Sequence, residues 1–217
     1  MVPRMPQSLS LWERVKPLVA DVQRRIIGLS RPTGAVNARR LAERGETLDT
    51  IVMRDAVAAD TPALAALHVT LWNRTYRMRG PSVATRLAQW NRLFSEGDLR
   101  EFVLVLEDRE RRIIGFARGG PHDGPFDGEL NKIYLRWEYH GLGLGRRMMA
   151  EAARRFLDRG MRSFILFAER SNPTIGFYDR LGGERLRDGR GQFHGAYAWR
   201  DARTLLGTLG TADAKFR

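Results

Sequence analysis

Glu138-Tyr139-His140-Gly141-Leu142-Gly143-Leu144-Gly145-Arg146-Arg147 is the stretch that decides how this chain is read. Leu130 to Leu135 precedes it and reads as a strand. Leu144, Met148, Met149, Ala152 and Phe156 recur at helical spacing after it, so a helix is expected over 143–158. The quoted residues are therefore a strand-to-helix turn with three alternating glycines, which let a backbone approach a ligand closely. The first N–H groups of the helix that follows have no intrahelical partner. Such a turn is a ready phosphate site, and Arg146 and Arg147 add formal charge beside it. The spacing is Gly-x-Gly-x-Gly, on the turn after the fourth predicted strand. A dinucleotide fold requires Gly-x-Gly-x-x-Gly on its first such turn, and a nucleotide-triphosphate loop requires Gly-Lys-Ser/Thr, which does not occur.

Working outward, the pattern becomes regular at about residue 50. Strands are predicted at 51–54, 102–106, 113–118, 130–135, 163–168, 183–187 and 194–200. The strand at 163–168 is nearly all apolar, as expected of one buried on both faces. Asp60 is placed to cap a helix over 61–76 with Leu64, Leu67, His68 and Leu71 on one face. Pro81 and Ser82 open a second helix through Leu87 to Phe94, Asp108-Arg109-Glu110 is a hairpin turn, and 119–128 is a Gly/Pro/Asp-rich loop. A short helix runs from 172 or 173 to 181, and the last residues form a short tail. Residues 1–49 stand apart as an appendage. Leu11, Trp12, Val15, Leu18, Val19, Val22, Ile26 and Ile27 have helical spacing, 31–34 is a turn, and 35–49 is a polar linker or short helix. Three readings of this segment stand open: a helix docked on the domain, a basic amphipathic helix at a membrane surface, or non-native sequence from a start placed too far upstream. The last follows from residues 8–15, which resemble translated repeats found between bacterial genes.

Composition narrows the function. The 217 residues include 43% hydrophobic residues, enough for one packed core, with no run long enough to span a bilayer and no secretory signal, so a cytoplasmic protein is expected. The absence of cysteine excludes disulfides, thiolate metal sites and a cysteine nucleophile. His68, His122, His140 and His194 show no metal-ligand spacing, and no metal is expected. The net charge of +12 raises the question of nucleic acid, but the 37 basic residues are dispersed, most beside acids, and all except Lys16, Lys132 and Lys215 are arginine. A cationic surface would still attract a polyanion such as coenzyme A.

The turn does not stand alone. Ser171-Asn172-Pro173-Thr174-Ile175-Gly176-Phe177-Tyr178-Asp179-Arg180-Leu181-Gly182 follows about 30 residues later. Together the two stretches resemble the paired signatures of the bacterial, acetyl-CoA-dependent branch of the GNAT N-acetyltransferase superfamily: an acyl-CoA pyrophosphate loop, then an Asn, a Phe-Tyr and a Leu-Gly. Ile133-Tyr134-Leu135, Leu67-His68 to Trp72 and Tyr76, and Ala196 to Asp201 extend the likeness over about 50–203. Departures are His140 where Arg or Gln is usual, Trp137 where Pro is frequent, and Gly183 where Phe is common. The resemblance implies an α/β GNAT acyl-CoA N-acyltransferase fold, a mixed central sheet of about seven strands flanked by about four helices, in a domain over 50–217.

It also implies roles. Acetyl-CoA, as co-substrate, would contact Ile133, Tyr134, Leu135, His140, Gly141, Leu142, Gly143, Leu144, Gly145, Arg146 and Asn172, with the pantetheine arm on the strand edge at 133–135. There a backbone N–H would stabilise the thioester oxyanion. Tyr178 would protonate the leaving thiolate; it also reads as a core tyrosine beside Phe177. Glu129 would help take a proton from the amine, and reads equally as a solvated carboxylate at a strand end. Asn172 would bond the pantetheine amide or simply cap the short helix. Trp72, Tyr76 and the 119–128 loop would meet the acceptor, a primary amine of a small molecule or peptide N-terminus. A regulatory acyl-CoA binder with little catalysis is the alternative. Neither nucleic acid nor membrane is an expected partner, and a homodimer is left open.

Overall fold

Alternating and all-apolar runs build one sheet. In a computed structural model that describes residues 34–77, 79–168, 172 and 174–213, its strands are β1 (Val52–Asp55), β2 (Phe102–Glu107), β3 (Ile113–Pro121), β4 (Gly128–Leu135), β5 (Phe164–Phe167), β6 (Glu184–Arg187) and β7 (Phe193–Trp199), in the order β1-β2-β3-β4-β5-β7-β6. Every neighbouring pair is antiparallel except β4–β5, which is parallel. The helices are α1 (Gly34–Glu43), α2 (Thr61–Tyr76), α3 (Val83–Glu96), α4 (Leu144–Asp158), α5 (Ile175–Arg180) and α6 (Ala202–Asp213). One face of the sheet packs on α2 and α3 through Leu64, Leu67, Leu71, Trp90, Val105 and Phe116. The other carries the larger core, where α4 supplies Met148, Met149, Ala152 and Phe156 and α6 supplies Leu205 and Leu209.

The predicted strands and the four central helices are present, with three local corrections. Ser82 caps α3 as expected, accepting from Thr85 N at 3.1 Å, but Asp60 does not cap α2 with its side chain. Its carboxylate is taken by Arg54 at 2.7 and 2.9 Å and by the Val57 N–H. The 119–128 loop is shorter, because Gly119, Gly120 and Pro121 pair in β3 with Leu130, Glu129 and Gly128. At Gly119 a Cβ would lie 2.5 Å from the Phe102 ring and 2.7 Å from that of Phe156, so this glycine serves close packing, not a turn. Phe164, Ile165 and Leu166 are buried as expected of β5, whereas Phe167, past the last β4 partner, is 60% exposed.

Two helices lie outside the expected set of about four. The predicted tail contains α6, whose Ala202, Leu205 and Leu209 are buried. That spacing is visible in the sequence, but Gly207 and Gly210 weaken the helical pattern. Residues 35–49, read as linker or short helix, form α1 and a turn at Leu48–Thr50. Leu41 joins the larger core. The helix expected over 11–27 lies outside the described residues. No described helix is long and apolar enough to cross a membrane.

Candidate active site

The parallel pair β4–β5 is joined where Gly128 faces Phe164 and Glu129 faces Ile165. Beyond that point the strands part, and a cavity of about 530 Å³ opens between them. A bulge in β4 shapes its wall: Arg118 of β3 faces Lys132 while Gly119 faces Leu130, which leaves Asn131 as the extra residue. Bulges re-aim the strand that carries them. Here the residues from Asn131 to Leu135 line the gap.

At the end of β4 the chain makes a turn at Trp137–Tyr139 and enters the glycine loop. Gly141 and Gly143 have φ of 77° and 79°, a region that side chains other than glycine rarely adopt. At Gly143 a Cβ would meet nothing within 4 Å, so the loop presents bare backbone to open space. Gly143 is also the N-cap of α4 and offers no side-chain acceptor. The first helical bond is Arg147 N to Gly143 O at 3.1 Å, leaving the N–H groups of Leu144, Gly145 and Arg146 without intrahelical partners. Arg146 lines the same cavity, and its buried Nη2 has no hydrogen-bond partner among the described residues. Uncapped donors, an orphaned guanidinium nitrogen and a side-chain-free loop suit a pyrophosphate. A second cavity of about 570 Å³ opens on the other side of Gly143 and Arg146, edged by Arg147, Arg154 and Arg155.

The loop is braced from outside the motif. Asn37 of α1 is fully buried, and its Nδ2 donates to the carbonyls of Trp137 and His140, both at 2.8 Å. Gly34 lies so close to Gly141 that a Cβ would stand 2.5 Å from the Gly141 carbonyl oxygen. The His140 ring contributes as well, with Nε2 3.0 Å from the Leu135 carbonyl, tying the loop back to the end of β4.

With this geometry in hand, the family can be decided. The family model described as "Acetyltransferase (GNAT) family" matches residues 64–183, more than half of the chain and spanning the whole cleft. The chain belongs to the GNAT family of N-acetyltransferases. It is similar to an uncharacterized N-acetyltransferase, YuaI, of Bacillus subtilis, at 29% identity over 143 residues, which cover 64% of this chain and 83% of YuaI. Its fold is similar to that of the PaiA N-acetyltransferase of Thermoplasma acidophilum in complex with coenzyme A (TM-score 0.55, 20% identity, 68% of this chain and 97% of that one). It is also similar to that of YncA of Salmonella typhimurium with acetyl-CoA (TM-score 0.51, 19% identity, 68% and 91%). This GNAT enzyme is therefore an N-acetyltransferase.

Most residues that the sequence nominated meet in the cleft of this GNAT domain. Ile133, Tyr134, Leu135, His140, Gly141, Gly143, Gly145, Arg146, Asn172, Tyr178 and Tyr76 all line it. Leu142 lines the second cavity instead, and the Leu144 side chain is buried in the core, so Leu144 can serve a phosphate only through its N–H. Trp72 does not line the cleft; its ring packs 5.0 Å from that of Tyr76 and covers Gly80. Glu129 sits at the closed end of the gap, outside the lining, with its carboxylate 3.3 Å from His122 Nδ1. Asn172 precedes α5 and does not lie on it. Its Oδ1 accepts from the N–H and hydroxyl of Thr174 at 2.9 and 2.6 Å, so these bonds use the oxygen and not the amide donors.

Tyr178 is 5% exposed, with Phe177 and Tyr197 rings at 5.3 and 5.4 Å. Burial, with Tyr134 and Tyr197 nearby, holds its phenol well above the ordinary tyrosine range, and a hydrogen bond with Thr174 opposes this. The group thus keeps its proton at neutral pH. His68, expected on one face of α2 with Leu64, Leu67 and Leu71, is fully inside, flanked by Trp90, Phe116 and Tyr134. Desolvation, then Arg86 and Lys132, push it down to about 3, so it is neutral. The sequence reading missed Thr75, Lys132, Phe167 and Phe177 as cleft residues. Only Phe177 had a local signal, being part of the second signature.

Proposed function

We propose that this enzyme transfers the acetyl group to a primary amine of a small molecule or peptide N-terminus by direct attack in a ternary complex. The observation that carries the reading is one continuous cleft that contains the open edge of β4, the uncapped start of α4 and the buried, protonated Tyr178. The co-substrate's diphosphate would rest on the N–H groups of Leu144, Gly145 and Arg146 and on the Arg146 guanidinium. Backbone groups of Ile133, Tyr134 and Leu135 would hold the pantetheine arm, and Asn172 would donate its amide hydrogens to it. Acceptor and thioester lie together in this gap, and positioning supplies much of the rate enhancement.

The amine nitrogen forms a bond to the thioester carbonyl carbon as an N–H of β4 receives the developing oxyanion, and the C–S bond then breaks. Tyr178 delivers its proton to the departing sulfur and recovers one from solvent. The amine's surplus proton leaves to solvent, and Glu129, set outside the lining, reaches it only through water. Thr174, hydrogen-bonded to Tyr178, helps hold the phenol in place.

The test is free-thiol release from acetyl-CoA with a panel of amines, run beside calorimetry of acetyl-CoA alone. Thiol release that depends on an amine is the expected result. Tight acetyl-CoA binding with no amine-dependent release would favour a regulatory binder, and no binding at all would overturn both readings.

A further inference from the structure

Lys132 is the lysine of the described residues, in a chain whose other described basic side chains are all arginine. It lines the cleft, on the β4 face shared with Tyr134 and turned toward α2 and α3. Among the described residues its ammonium has no hydrogen-bond or ion-pair partner. Arg118 faces it in register on β3, and Arg86 of α3 is near enough for its charge to press on Lys132, His68 and Tyr134. The buried Nε atoms of both arginines lack partners among the described residues.

The acids nearby are already engaged. Glu101 binds Arg118 at 2.6 Å, and Glu129 faces His122. His68 and Tyr134 are neutral. Three cations thus meet two carboxylates, and the surplus positive charge lies on the cleft wall at Lys132. A half-buried cation without a counter-charge is costly. Desolvation, then Arg118 and Arg86, bring Lys132 down to about 8.

We propose that the acceptor amine carries a carboxylate that docks on the Lys132 ammonium, with Arg86 and Arg118 behind it. The proposal rests on the transferase reading above and narrows its substrate class to small amino-acid-like amines. Spacing supports it. Lys132 is two residues from Tyr134, about 7 Å along a strand, so an anion at Lys132 leaves an amine a few bonds away beside the 133–135 backbone. The same charge works against polyamines, whose further ammonium groups would face Lys132 and Arg86.

The test compares amino acids with their own amides, together with spermidine and O-phosphoethanolamine, by kcat/KM at pH 7. The expected result is a preference of at least about tenfold for acid over amide, since a site built for a polar group discriminates against the analogue lacking it. In Lys132→Met the ratio should fall toward one through the acceptor's KM, with KM for acetyl-CoA unchanged, and Lys132→Arg should keep the preference. Arg86→Gln should lower it without abolishing it, which guards against misfolding of a single variant. The preference should fade above about pH 8 as Lys132 loses its proton. Equal rates for acid and amide in the native enzyme, a ratio untouched by Lys132→Met, or a Lys132-dependent preference for the phosphate would overturn the proposal. If no amine is turned over, calorimetry of the same pairs on CoA-loaded protein separates the two readings. Lys132-dependent binding of the acids would uphold the pocket while removing the transfer step, and absence of such binding would remove the pocket as well.

Discussion

The two sides of the cleft are built from different materials. Toward α4 the contacts are backbone: a glycine loop at positive φ, the uncapped start of a 15-residue helix and the free edge of β4. Toward α2 and β5 they are side chains: Thr75 and Tyr76 from one helix, Lys132 and Tyr134 from β4, Phe167 from β5. Main-chain donors survive changes in the residues that carry them, so the first side tolerates His140 and Trp137 where other residues are usual. The second side has no such insurance, and a single exchange there should alter what the cleft accepts. On the proposed assignment, chain path would set the co-substrate half and residue identity the acceptor half.

That contrast can be broken most forcefully at Tyr178, a side chain in the backbone-built region. Tyr178→Phe keeps the ring and its packing. Turnover should fall by roughly 10²–10⁴-fold, as for loss of one general acid, with acetyl-CoA affinity nearly unchanged. Normal turnover with a lower Tm would remove Tyr178 from the chemistry. Next comes Gly143→Val, which forces a branched residue into φ of 79° and fills the space before the loop. With a side chain standing between the loop backbone and the co-substrate, acetyl-CoA binding should weaken by roughly tenfold or more, about 1.4 kcal/mol per tenfold, and calorimetry showing native affinity would contradict the loop assignment.

Asn37 sharpens the comparison from a distance. Asn37→Ala removes two hydrogen bonds to the loop, each worth about 0.5–1.5 kcal/mol net. Acetyl-CoA affinity should fall by about tenfold while acceptor KM holds. A chain starting at residue 49 should show the same loss together with a lower Tm, since Leu41 goes too. A variant with lowered Tm but native affinity would make α1 a packing element alone.

How much of this was legible follows the same divide. The glycine loop, the strand before it and the helix after it announce themselves locally, because periodicity and glycine spacing are properties of a few consecutive residues. So does the Asn172 to Gly182 stretch, although its helix starts later than expected because Asn172 turns back to bind Thr174. The acceptor wall is assembled from α2, β4 and β5, and nothing in the local sequence of Lys132 or Phe167 says that they share a cavity. Asn37 carried no signal at all, since its partners are about 100 residues away. Glu129 was nominated for its place on the strand, and the fold carries that place to the closed end of the gap.

The smallest effect concerns His68. Its imidazole is held neutral at about 3, below its ordinary value of 6.5. The unfolded chain binds a proton that the folded chain refuses, so stability should decline as pH falls from about 6.5 toward 3. His68→Phe should flatten this part of a Tm-versus-pH curve and change little at pH 7.5. An identical slope in the two proteins would mean that paired carboxylates alone set the acid limit.

The missing ladder between β4 and β5 has a consequence for traffic through the enzyme. Whatever hydrogen-bonds to the open β4 edge in the acetylated donor is still present once the acetyl group has gone, because free coenzyme A keeps the whole pantetheine arm and both phosphate contacts. In the proposed binding mode the gap would hold spent donor almost as firmly as fresh donor. Steady turnover should then be governed by the ratio of acetylated to free coenzyme A and by how fast the spent molecule escapes, so a sheet left open to be completed by its substrate makes the rate responsive to the acetylation state of the coenzyme pool.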